Sequence, residues 1–137
     1  MPGSKSNYLE SAILNHILGA ETYTPASICY VALSSALYSD SATGASFSEI
    51  TTGSAARVAA TNNTTTWPHT SSNTKTNGTT LTFPTASGAW PEALSFYILD
   101  ASSSGNILYG GDLTTPRTLL TGDTASFGPG SLVITED

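Results

Sequence analysis

"EALSFYILDASSSGNILYGG", residues 92–111, carries the strongest strand signal in the chain. Side chains on a strand alternate between faces, so Leu94, Phe96 and Ile98 share one face and Ser95, Tyr97 and Leu99 the other. "ASSSGN" (101–106) is turn chemistry, and "ILYGG" (107–111) returns the chain, which predicts a hairpin.

Other strand signals surround it. "TPASICYVAL" (24–33) predicts a strand at about 28–33 with two apolar faces, as in a central strand. "ARVAAT" (56–61) is a short strand, and "TTLTFP" (79–84) turns Leu81 and Phe83 inward until Pro84 stops it. "RTLLTGDTASF" (117–127) predicts a strand pair about a Gly-Asp turn. "GPGSLVITED" (128–137) closes the chain with Leu132 and Ile134 inward. Residues 34–56 and 62–79 read as long loops. The expected fold is mainly β: a single-domain β-sandwich or jelly roll over residues 1–137, with one N-terminal helix.

That helix is "NYLESAILNHILG", residues 7–19, with Ser6 or Asn7 as its N-cap and Gly19 suited to its C′ position. Tyr8, Leu9, Ala12, Ile13, His16 and Ile17 form one arc, and Leu14 and Leu18 carry it to the opposite side. A helix laid on one surface needs an apolar stripe only a little over 100° wide. The wider arc predicts two contacts: Leu9, Ile13 and Ile17 on the sandwich, Leu14 and Leu18 on a partner.

Of 137 residues, four are basic and ten acidic, for a net charge of −6. The bases Lys5, Arg57, Lys75 and Arg117 are scattered, which argues against nucleic-acid binding, since counterion release needs clustered cations. Charged residues make up only 10%, while Ser and Thr are nearly a third. Such a surface has few long side chains to immobilise, so a partner covers it at low entropic cost. No run is long enough to span a membrane, and "MPGSKSNYLE" (1–10) lacks the apolar core of a secretory leader. The sequons at Asn62, Asn63 and Asn77 carry no weight without one.

Signals of catalysis are thin. The lone Cys29 lies in an apolar run and reads as a packed thiol. His16 reads as a hydrogen-bonded core or interface histidine. His69 follows Trp67-Pro68 in the polar loop, where Trp67 pins the loop or stacks on a sugar. Asp100, Asp112, Asp123, Glu136 and Asp137 sit at turns or at the end of the chain, where Asx-turn chemistry explains aspartate. There is no nucleophile elbow, metal-spaced histidine pair or phosphate loop. No enzyme, metal or cofactor is expected.

Taken together, "NYLESAILNHILG", "YTPASICYVALSSA", "GSAARVA" and the run from "TLTFPTASGAW" through "FYILDA" and "GDT" to "LVIT" resemble a family of small tailed-phage virion proteins. Members are often labelled tail fibre protein, and similar small β proteins serve as capsid cement or decoration proteins. The chain has Ala55-Ala56-Arg57 where the family pattern places an aromatic before the arginine. The resemblance implies a virion structural protein. The first expectation is a cement protein on the outer capsid surface, with the major capsid protein and copies of itself as partners. A small tail-attached subunit is the alternative, and a carbohydrate-binding module using Trp67 and Trp90 is a third reading. Tyr8, Leu14, Leu18 and Trp67 are the candidate assembly residues.

Overall fold

A computed structural model describes residues 3–136. The chain is mainly β with one N-terminal helix. In order, the elements are β1 (Ser4–Lys5), α1 (Asn7–Gly19), β2 (Ile28–Ser34), β3 (Val58–Thr61), β4 (Thr74–Thr76), β5 (Leu81–Thr82), β6 (Ala93–Leu99), β7 (Ile107–Arg117), β8 (Ser126–Phe127) and β9 (Val133–Thr135). The predicted hairpin is β6–β7, and it lies at the centre of an antiparallel sheet ordered β1-β7-β6-β2-β3.

The alternation along β6 sorts its side chains as the sequence predicts. Phe96 and Ile98 join Val31 and Leu33 in the larger core, closed by Trp67, Leu81, Phe83, Trp90, Leu119, Leu132 and Ile134. Tyr97 and Leu99 face the other way with Ala32 and Ile107, beneath Tyr38, Ala42 and Phe47 from the 35–49 loop. The Phe47 and Tyr97 rings sit 4.5 Å apart, so this loop serves as the second cover of the sheet. Both faces are therefore dry, which accounts for the two-sided apolar pattern of β2. Leu94 falls at a register shift between Ala93 and Ser95 and is only half-buried.

The layer opposite the sheet is built from two short ladders, β4–β9 and β5–β8, and from loops. Gly3 stitches it to the sheet. Its N–H donates to Val133 O at 2.8 Å and its carbonyl accepts from Thr135 N–H at 2.9 Å, while the next two residues pair with β7. A Cβ at position 3 would lie 2.8 Å from Phe96 Cζ and 2.9 Å from Gly110 O, so only glycine fits this crossing.

Three expectations are corrected. Thr74–Thr76 is a strand inside the predicted 62–79 loop, held by pairing with β9. The strand pair expected within 117–127 does not form. Leu119 is buried, and its carbonyl accepts from Trp90 N–H while Ala86 N–H donates to Asp123 O, so this segment spends its backbone groups on residues 86–90. Ile17 does not close the sandwich, since 67% of it is exposed. α1 packs on β7 and β1 through Leu9, with Ala12 and Ile13 half-buried. Ile17 lies one turn, about 6 Å, further along the axis, where the helix has passed the sheet.

Candidate assembly surface

α1 is anchored at its start and bare at its end. Ser6 caps it: its buried hydroxyl accepts from Leu9 N–H at 3.2 Å and donates to Ile107 O. Ser6 N–H donates to Leu108 O, and Asn7 N–H to Asp40 O, both at 2.9 Å. The far end turns through Ala20 in the left-handed region (φ 57°), with Glu21 N–H returning to Asn15 O at 3.1 Å. His16 is exposed rather than in the core. Its Nδ1 lies 3.2 Å from Tyr23 N and 3.0 Å from Glu21 O, tying down the chain that leaves the helix.

Between these ends the candidate assembly residues divide. Leu14 is 59% exposed, Leu18 81% and Tyr8 42%. Ile17 adds to them, because Ile13, Leu14, Ile17 and Leu18 at i, i+1, i+4 and i+5 form one stripe along the helix. The stripe is the signal that should have moved Ile17 from the core to the surface. Trp67 leaves the set. Its indole is buried in the larger core at the edge of the cavity beside α1, and its backbone N–H donates to Asn63 O at 2.9 Å, so it pins the 62–73 loop. Trp90 is buried too, its Nε1–H donating to Gly53 O at 2.8 Å.

Beside the helix opens a cavity of about 430 Å³. Leu9 and Ile13 form one wall, Tyr23 and Pro25 a second, and the 67–75 segment a third; Cys29, Ile98 and Tyr109 lie at its base. The apolar lining keeps the Cys29 thiol protonated above its ordinary range, mainly by burial and secondarily through Asp100. Burial likewise pushes the Tyr109 phenol well up, with the Glu136 carboxylate adding to it. Tyr109 O–H donates to Glu136 at 3.0 Å, and Lys5 pairs with the same carboxylate. Lys75, opposite Ile134 on β4, reaches the cavity and makes no ion pair among the described residues.

The remaining polar groups serve the fold. Arg57, scattered in sequence, is a hub whose side chain is only 3% exposed. It forks onto Glu49 with two 2.8 Å bonds and donates to Ala101 O, Ser104 O and Gly44 O. Asn77 is buried, which removes its sequon from modification. Its amide donates to Thr79 O, Phe127 O and Gly128 O, and its oxygen accepts from Leu132 N–H. Asp100 accepts from Asn106 N–H at 2.7 Å and Asp123 from Leu120 N–H at 2.9 Å, as turn aspartates do. Asp112 accepts from Tyr38 N–H at 2.7 Å; Asp137 lies outside the described residues. Among the described residues no three His, Cys, Asp or Glu side chains gather to hold a metal, and no helix is long and apolar enough to cross a membrane.

A family match covers residues 4–135, almost the whole chain, and its description is podophage GP4 fiber I protein gp80. The chain belongs to this Gp80 family. No curated protein matches it significantly. The chain is thus a bacteriophage structural protein of a fibre-type family, with the β-rich fold described above. In this Gp80 member the polar interior is saturated: every buried side-chain nitrogen or oxygen among the described residues has a hydrogen-bond partner. Exposed apolar side chains gather on the outside of α1, at Leu14, Ile17 and Leu18.

Proposed function

We propose that this Gp80-family chain is a subunit of the tail fibre apparatus of a podophage virion, held in the particle by apolar contact through α1. The observation that carries the reading is the exposed stripe. Ile17 and Leu18 are 67% and 81% exposed on a helix whose N-terminus is locked to the sheet. Single exposed apolar residues such as Leu37 or Leu120 are ordinary, but a contiguous patch on a rigid element marks an interaction surface. The family description favours a fibre role over the capsid cement role that composition, the apolar helix and the resemblance first suggested. The same buried-area physics serves either location, so the stripe bears on assembly and the family on place.

The carbohydrate-binding reading loses its support, since Trp67 and Trp90 are both buried in the core rather than exposed as stacking platforms. Asp100 and Asp123 are engaged in turns and Glu136 in an ion pair, and no reaction is assigned to the chain.

Immunogold labelling of purified virions tests the location. Label confined to the tail is the expected result. Label spread over the head would return the chain to the cement role.

A further inference from the structure

We propose that the cavity beside α1 is a binding site for a single-chain amphiphilic anion, a medium-chain fatty carboxylate. Its alkyl chain lies against Leu9, Ile13 and Ile98, and its carboxylate meets Lys75. The inference goes beyond the assembly reading and holds wherever in the virion the chain sits.

Size sets the scale of the ligand. A cavity of about 150 Å³ lined by aliphatic and aromatic side chains accepts benzene, roughly 25 Å³ per carbon. On that scale the cavity here, at about 430 Å³, holds on the order of seventeen heavy atoms. That is the size of a small-molecule pocket. Its lining is divided by polarity, with Leu9, Ile13 and Ile98 on the helix wall and base, and Thr70, Ser72 and Lys75 on the third wall.

The ladder turns Lys75 inward. Residues directly opposed across an antiparallel pair share a face, and Lys75 is opposed by Ile134, which is buried in the larger core. Lys75 is therefore a half-buried cation on the core side of β4, against an apolar cavity, with no ion pair among the described residues. Glu136 is the one carboxylate in the lining, and Lys5 and the Tyr109 O–H already engage it, so it leaves the charge of Lys75 unmatched. A cation set against an apolar cavity is complementary to an anion carried on an apolar chain, and desolvation there strengthens the charge-assisted hydrogen bond.

The test is calorimetric titration of the full chain at pH 7.5 with decanoate, kept below its micellar range. Decanoate has about twelve heavy atoms and fits the volume. The expected result is one decanoate per chain, with a dissociation constant on the order of 100 μM. Decanol, which lacks the charge, should bind about tenfold more weakly, and decylammonium should not bind. Lys75→Met keeps the length of the side chain and removes its charge. It should weaken decanoate about tenfold, leave decanol unchanged and leave the unfolding midpoint unchanged. Cys29, at the base of the cavity, provides a second readout: decanoate should slow its alkylation by iodoacetamide in the wild-type chain. No one-to-one binding of decanoate up to about 1 mM would overturn the proposal. So would decanol or decylammonium binding as tightly as decanoate, or a Lys75→Met chain that keeps its affinity. None of those outcomes alters the location reported by gold label.

Discussion

Two side chains with no visible role in the sequence hold the loops of this molecule in place. Asn77 ties three carbonyls and one N–H from residues 79–132, so its amide has to present both a donor and an acceptor. Asn77→Asp keeps the shape but turns a carboxylate toward the carbonyls of Thr79, Phe127 and Gly128. It should cost about 3 kcal/mol or more, read as a fall in the urea midpoint at constant m-value. Arg57 joins Glu49 to the 101–104 turn through a planar fork that lysine lacks. Arg57→Lys should cost about 2 kcal/mol and speed proteolysis within residues 35–49, which limited digestion followed by mass spectrometry would detect. Neither role was legible. Asn77 sits in a sequon and Arg57 in a Gly/Ser/Ala segment, and what makes each a hub is a set of backbone carbonyls distant in sequence.

At the scale of elements, α1 ends in a conformation that its sequence does not favour. Ala20 takes φ 57°, which costs an L-residue with a Cβ about 1–2 kcal/mol, while Gly19 just before it is the last helical residue. Ala20→Gly should slow hydrogen exchange at the amides of residues 16–19 by several-fold while leaving the core amides unchanged. The limits of α1 were legible because capping and periodicity are local, and so was the β6–β7 hairpin, whose turn and alternation lie in one stretch of chain. The depth of each element's burial was not. Ile13 and Ile17 are the same residue type one turn apart, and only the extent of the sheet beneath them separates half-buried from exposed. The short strand β4 was missed, and β8 was given the wrong partner, for a related reason. Two or three residues make no period, and their partners lie more than forty residues away.

For the whole molecule, mainly-β character with one helix followed from the sum of these local signals, and the fibre-type family fits the assembly role read from the composition. The cavity beside α1 is a property of the assembled chain alone, since its lining comes from residues between Leu9 and Glu136. Assembly also sets the alkaline limit of stability. Burial holds the Tyr38 and Tyr109 phenols well above their ordinary range, next helped by Asp40 at the first and Glu136 at the second. The unfolded chain therefore releases protons near pH 10 that the native chain retains, and stability falls as pH rises from about 10 toward the native values. Urea midpoints measured between pH 8 and pH 11 should be flat at first and then decline. Tyr109→Phe, which has no proton to lose, should flatten the decline.

The central claim is that this fold serves assembly, with α1 as the buried element of a fibre-type subunit. A cryo-EM map of the intact virion tests it most directly. The expected result is density for this domain at the tail, with Leu14, Ile17 and Leu18 covered by protein. Density on the head shell, or a tail-bound domain whose helix stripe faces solvent, would contradict it.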